Sequence, residues 1–105
     1  MNEQVKIEDV ELMDRIRSGD DMALKLIYDK YWNQLFNSAY NILHDQQACE
    51  DIIQDIFINF WNKRDVIEIR VSLKSYLFAS TRYEVYRQVR SGSVREDILT
   101  VFMNV

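Results

Sequence analysis

The chain has 105 residues, 48% of them hydrophobic, and this length favours a single small domain with a modest apolar core. It contains no proline, two glycines and one cysteine, which favours an all-α fold and excludes an internal disulfide or a cysteine-rich metal site. The net charge is −4, and no apolar run approaches the roughly 20 residues that span a bilayer, so we expect a soluble, cytoplasmic protein without a signal peptide or membrane insertion.

Charge is distributed unevenly along the sequence. Residues 1–61 carry 5 Lys/Arg and 12 Asp/Glu, whereas residues 62–95 carry 8 Lys/Arg and 3 Asp/Glu. The two segments therefore differ in sign, −7 against +5, and residues 96–105 add −2. An acidic half and a basic half suit two different partners; the alternative is that both are ordinary solvated faces.

The apolar periodicity predicts a compact helical bundle of three main helices with short flanking helices. In chain order these are a short helix capped by Asp9, main helices at about 21–43, 46–63 and 72–90, and a short helix after Ser93. The turn Ser18-Gly19-Asp20 is expected to end the first helix and cap the next, and Ser72 to cap the helix that follows the 63–71 segment. Apolar residues recur every three or four positions along the second helix and predict one buried stripe of Leu24, Ile27, Tyr28, Tyr31, Leu35, Ala39 and Ile42.

The domain organisation follows from these elements. Residues 1–8 are expected to form a flexible tail and residues 9–92 the helical domain, with residues 93–105 as a linker or short C-terminal helix. The segment 63–71 breaks the helical period and predicts a loop, although its alternation "VIEIRV" is also compatible with a short strand.

The third predicted helix has two different faces when it is placed on a wheel of about 100° per residue. Its core side holds Cys49, Ile52, Ile53, Ile56, Phe57 and Phe60. Its other side, called the acidic face below, consists of Asp51, Gln54, Asp55, Ile58 and Asn62. Like charges four residues apart disfavour a helix, and Ile58 gains nothing from a solvated side. The acidic face is therefore either a docking site for a basic helix or a solvated side with one stray isoleucine.

The fourth predicted helix carries tyrosines and arginines away from its core side. The set is Tyr76, Ser80, Tyr83, Arg87 and Arg90, and the preceding segment extends it with Lys63, Arg64, Arg70 and Lys74. Aromatic rings stack on unpaired bases while guanidinium groups contact phosphates, so this pattern is typical of single-stranded nucleic-acid binding. The alternative is a half-buried core edge, with arginine stems lying along it.

Catalytic chemistry is not indicated. The single histidine, His44, falls in a predicted turn, and Cys49 lies on a core face. Asp51 and Asp55 lack the Glu-x-x-His companion of a carboxylate metal site, and there is no glycine-rich phosphate loop. We therefore expect neither an enzyme nor a cofactor.

Three segments resemble, in order, the region-2 domain of extracytoplasmic-function (ECF) sigma factors, the promoter-recognition subunits of bacterial RNA polymerase. "SGDDMALKLIYDKYWNQLFNSAYNIL" is similar to the family's opening helix, "ACEDIIQDIFINFWNKRD" to its "AEDI.Q..F…W" helix, and "SLKSYLFASTRYEVYRQVR" to its "S.K.YL…R" helix. The resemblance covers about residues 9–90 and implies a region-2 helical fold.

The resemblance also implies roles for the two surfaces. The acidic face would dock on the clamp helices of the polymerase beta-prime subunit. The 63–71 loop would hold a base flipped from the minus-ten element, and the fourth helix would contact the melted promoter strand. An anti-sigma factor is a further implied partner.

Two features depart from the family pattern. Tyr83 and Arg87 stand where family members often carry asparagines near the DNA, and the sequence has no room for the second domain that reads the minus-thirty-five element. The alternative function is accordingly a sigma-like interaction module that binds polymerase or an anti-sigma factor without reading the promoter.

Overall fold

Four α-helices make up residues 7–91, the part of the chain that the computed structural model describes. They are α1 (Ile7–Arg17), α2 (Asp21–Leu43), α3 (Gln46–Asn62) and α4 (Leu73–Ser91), and there is no strand within these residues. The all-α prediction is confirmed, and residues 63–72, called the α3–α4 loop below, are not a strand. The predicted helix after Ser93 and most of the predicted tail lie outside the described residues.

Short polar side chains and left-handed residues set the end of α1 and both ends of α2. Gly19, at φ 88°, ends α1, and the Asp20 carboxylate caps α2 by accepting from the amides of Met22 at 3.0 Å and Ala23 at 3.4 Å. His44, at φ 51°, closes α2 as its amide donates to the Tyr40 carbonyl at 2.9 Å. The helices therefore break at the turns that the sequence predicts.

The buried stripe of α2 is displaced from the predicted one. Residues spaced by four are buried along the whole helix: Ala23, Ile27, Tyr31, Leu35, Ala39 and Leu43. The predicted core positions Leu24 and Ile42 are only partly buried, and Tyr28 is 40% exposed. Since α2 packs against all three other helices, the residues beside its buried line lie at the edges of those contacts rather than in the centre.

The first helix corrects the prediction for Asp9. Helix α1 begins at Ile7, so Asp9 lies inside it instead of capping it. Its side chain is 7% exposed, and Oδ2 accepts a hydrogen bond of 2.8 Å from the amide of Leu73, the first residue of α4. Ser72 caps the same helix end, as predicted, by accepting from the Ser75 amide at 3.0 Å. Asp9 thus caps a helix 64 residues away along the chain.

Candidate functional site

The acidic face lies on the exposed side of α3. All five of its residues are exposed, including Ile58 at 50%, whereas every residue predicted for the opposite side of the helix is buried. The amide Nε2 of Gln47 donates to Asp51 Oδ1 at 3.0 Å, and no basic side chain within residues 7–91 forms an ion pair with Asp51 or Asp55. The face therefore presents uncompensated negative charge to solvent.

Ile58 is not an isolated apolar residue on this face. It lines an open groove of about 320 Å³ between α2 and α3, called the apolar groove below; its lining residues are Leu24, Tyr28, Gln54, Phe57, Ile58, Trp61 and Asn62. The ring of Tyr28 packs on that of Phe57, with centroids 4.9 Å apart. Leu24 and Tyr28 were absent from the sequence-predicted site because they belong to another helix. Their only signal was membership of the predicted core stripe.

Arg64, which is predicted to extend the basic surface through the loop, folds back onto the end of α3. Its guanidinium carbon lies 4.3 Å from the centre of the Trp61 ring, and Nη1 donates to the Trp61 carbonyl at 2.8 Å. The side chain is partly buried, and its Nε has no hydrogen-bond partner among the described residues. Arg64 therefore binds the loop to the C-terminus of α3, where a cation is favoured by the helix dipole.

Four of the predicted nucleic-acid residues meet between α3 and α4. Lys63, Tyr76, Ser80 and Tyr83 line a groove of about 370 Å³, called the aromatic groove below, together with Ile56, Asn59, Phe60, Ala79 and Glu84. Tyr76 is partly buried against Phe60, with ring centroids 6.1 Å apart, whereas Tyr83 is 61% exposed. Asn59 belongs neither to the predicted core side of α3 nor to its acidic face, so the helical period gave no signal for it.

A second depression lies directly beside this groove. It has a volume of about 330 Å³ and is lined by Glu68, Arg70, Val71, Ser72, Ser75 and Tyr76; we call it the loop pocket. Arg70 pairs with Glu68 at 3.4 Å, with both side chains largely exposed. Tyr76 lines both the loop pocket and the aromatic groove, so the two depressions share one aromatic wall.

The remaining predicted cations lie outside both depressions. Arg87 donates from Nε and Nη2 to Glu84 Oε1, at 3.1 and 2.8 Å. This hydrogen-bonded carboxylate raises the pKa of Arg87 above its ordinary value. Lys74 and Arg90 are exposed and have no ion pair within residues 7–91, although Lys74 Nζ lies 5.8 Å from the centre of the Phe78 ring.

The two side chains considered for catalysis, Cys49 and His44, belong to the core and to a helix end. Cys49 is fully buried, and burial raises the pKa of its thiol to about 11. His44 occupies the turn after α2, as predicted. Within residues 7–91 no group of three or more potential ligand side chains is arranged to hold a metal ion. None of the described helices is long and apolar enough to cross a membrane.

Comparison with known proteins identifies relatives of this chain. A family model described as sigma-70 region 2 matches residues 27–95. The ECF RNA polymerase sigma factor SigX of Bacillus subtilis is 28% identical over 81 residues, which is 76% of this chain and 42% of that protein. The RNA polymerase sigma-H factor of Pseudomonas aeruginosa is 31% identical over 51 residues, covering 49% of this chain and 26% of that protein. The chain thus spans less than half the length of either relative. No solved structure matches it significantly.

Proposed function

We propose that this chain, which belongs to the sigma-70 region 2 family, binds the clamp helices of the polymerase beta-prime subunit and captures the melted minus-ten promoter strand. The family consists of transcription initiation factor domains that act without catalysis. The finer assignment rests on two surfaces. The acidic face and apolar groove serve the polymerase, while the loop pocket and aromatic groove serve the DNA.

The polymerase side is supported by the combination of charge and apolar surface. Asp51 and Asp55 offer two carboxylates one helical turn apart that form no ion pair within residues 7–91, and Ile58 follows on the same face and lines the apolar groove. A partner helix with basic residues flanking an apolar one matches this arrangement, because charges steer the encounter and apolar burial supplies affinity. The same pattern gives a purely solvated face no benefit.

The DNA side is supported by the shared wall at Tyr76, which is the observation that carries the proposal. A base removed from its stack costs a few kcal/mol, so a capturing protein must offer a pocket and a stacking surface. The loop pocket, at about 330 Å³, is of a size that holds small ligands. From there a strand would continue across Tyr76 into the aromatic groove, towards Tyr83 and Lys63.

Binding measurements on two probes test this proposal. A clamp-helix fragment of beta-prime and a single-stranded minus-ten oligonucleotide are each titrated with the protein over a salt series. Reversing the acidic face with Asp51→Arg and Asp55→Arg should abolish binding to the clamp fragment. The matched control is Glu11→Arg with Asp14→Arg, which changes the net charge equally on exposed positions of α1. Equal loss in both double variants would refute the assignment of the acidic face.

The oligonucleotide probe tests the second surface independently. Replacing Tyr76 and Tyr83 by Ala should weaken oligonucleotide binding without affecting the clamp fragment, because stacking contributes about 1–3 kcal/mol per base. The control is Tyr40→Ala, a partly exposed tyrosine on α2 that lines neither depression. If the unaltered protein binds neither the clamp fragment nor the oligonucleotide, the proposed function is overturned.

A second function is favoured because two arginines of the predicted DNA-binding set already have partners within the domain. Arg64 is held by Trp61 and Arg87 by Glu84, so two of the expected phosphate ligands are already engaged. A sigma-like module that binds polymerase or an anti-sigma factor without promoter readout would need no further cations. Clamp binding with no oligonucleotide binding would select this function.

A further inference from the structure

We propose that α1 positions the α3–α4 loop for strand capture, with Asp9 and Arg17 as the positioning residues. The inference rests on the proposed capture of DNA by that loop. Helix α1 lines neither the loop pocket nor the aromatic groove, so it would act indirectly, by fixing the conformation of the loop residues that line the loop pocket.

The first half of the loop is held by its own backbone. The amides of Val66 and Ile67 both donate to the Lys63 carbonyl, at 2.9 and 3.1 Å, and the Ile67 side chain is buried. The second half differs. Within residues 7–91, the stretch 68–71 has no hydrogen bond to other backbone groups, although it supplies half of the loop pocket's lining residues. Its conformation must be set by other contacts.

Helix α1 makes a polar contact at each end of that stretch. Arg17 Nη2 donates to the Ile67 carbonyl at 2.9 Å, just before it, and Asp9 Oδ2 accepts from the Leu73 amide at 2.8 Å, just after it. Asp9 and Arg17 are eight residues apart, or about 12 Å along a helix axis. Residues 68–71 therefore run along most of α1 and are fastened to it at both ends.

The space between these contacts confirms that the loop lies along α1. A small cavity of about 190 Å³ is lined on one side by Asp9, Val10, Met13 and Arg17 and on the other by Glu68 and Ile69. Ile69 also packs against the core. Glu68 also lines the loop pocket, together with Arg70, Val71 and Ser72, and α1 contributes no residue there. Fastening the loop before DNA arrives would lower the ordering cost of binding, which is the usual benefit of preorganisation.

Single-residue variants of α1 separate this role from general stability. Arg17→Met keeps the aliphatic stem and removes the donor, while Asp9→Ala removes the acceptor and Asp9→Asn retains an oxygen that can accept from Leu73. The matched controls are Arg15→Met and Glu11→Ala. Both residues lie on α1, and within residues 7–91 neither forms a hydrogen bond or ion pair with the loop, with Asp9 or with Arg17; Arg15 bonds Asp20, the N-cap of α2.

The first measurement is amide hydrogen exchange in the free protein, which requires no ligand. Arg17→Met and Asp9→Ala should accelerate exchange of the hydrogen-bonded Val66, Ile67 and Leu73 amides about ten-fold relative to the Leu35 amide in α2, and Asp9→Asn should restore much of the protection at Leu73. The controls should leave this ratio unchanged. An equal acceleration at Leu73 and Leu35 would indicate a merely structural role and overturn the inference.

The second measurement connects the loop to DNA. The probe is a strand of about twelve nucleotides selected from a randomised single-stranded pool by the unaltered protein, together with versions carrying one abasic site at each position. Loss of the captured base should weaken binding roughly ten-fold in the unaltered protein and in the controls. The same loss should weaken binding only about two-fold in Arg17→Met, because a pocket that is not held in shape gains less binding energy from the captured base.

The two measurements distinguish failure of the inference from failure of the proposed function. An unaltered protein that selects no strand, with faster loop exchange in Arg17→Met, would overturn the proposed function and leave the hold of α1 on the loop supported. Strand selection with the same abasic penalty in Arg17→Met and Arg15→Met would overturn the positioning role alone.

Discussion

Replacing Ile58 by Ala should lower the free energy of unfolding and weaken binding to the polymerase clamp by comparable amounts of free energy. The change removes three carbons, worth about 0.8 kcal/mol each when fully buried, or about 2.4 kcal/mol together. Ile58 is 50% exposed in the free domain, so about half of that sum is already realised in folding and half is available to a docked partner. We expect about 1.2 kcal/mol of lost stability and an approximately eight-fold weaker clamp complex.

Leu26 provides a matched control for this prediction. It is 52% exposed on α2, loses the same three carbons on replacement by Ala, and does not line the apolar groove. Leu26→Ala should therefore reduce stability by a similar amount and leave the clamp affinity unchanged. Urea denaturation gives the stability, and fluorescence anisotropy of a labelled clamp-helix fragment gives the dissociation constant. Equal changes in the dissociation constant for the two variants would show that the apolar groove is not the contact surface.

Three further predictions concern charge and reactivity. Glu84→Gln should release Arg87 for a phosphate, so binding of a single-stranded oligonucleotide should strengthen at low salt and its log–log salt slope should steepen by about 0.7; an unchanged slope would mean that Arg87 does not reach the strand. The hydrogen bond from Arg15, together with the capped amides, lowers the pKa of Asp20, so its stabilising effect is present above the unfolded pKa and is lost as the pH falls through the folded one. Asp20→Asn should accordingly show a flatter decline in urea midpoint below pH 4 to 5 than the unaltered protein, and parallel declines would contradict this origin. Burial raises the pKa of Cys49 to about 11, so a thiol reagent at pH 8 should label it only as fast as the domain unfolds, and rapid labelling without denaturant would contradict its burial.

Features that depend on a single helix could be predicted from the sequence. The core side of α3 and its acidic face follow from one periodicity, and every predicted core residue of that helix is buried. The turn at His44 and the cap at Asp20 are equally local, because the residues that form them are adjacent in sequence. Local rules of this kind are sufficient for the helices and for the faces of α3, whereas the buried stripe of α2 also depends on the three helices packed around it.

Features that depend on two elements could not be predicted in the same way. The apolar groove joins Ile58 to Tyr28, and no spacing within α3 indicates a residue on α2. Asp9 has the sequence context of an N-cap but caps another helix, since α1 starts earlier and places its carboxylate beside Leu73. Arg64 has the sequence context of a solvent-facing cation in a basic segment. Its side chain instead folds back onto the Trp61 ring at the end of α3, a contact that only the folded structure shows. Pattern alone indicates the residue types for a surface, whereas packing decides which of them remain available.

The bond between Asp9 and Leu73 also bears on the order in which the domain assembles. Its partners are 64 residues apart along the chain, so it closes a long loop. Contacts between adjacent helices close shorter loops and cost less chain entropy, which favours their early formation. We therefore expect α2 and α3 to pair first and the start of α4 to settle last among the described helices, so that the loop pocket acquires its final shape only when α1 and α4 have met.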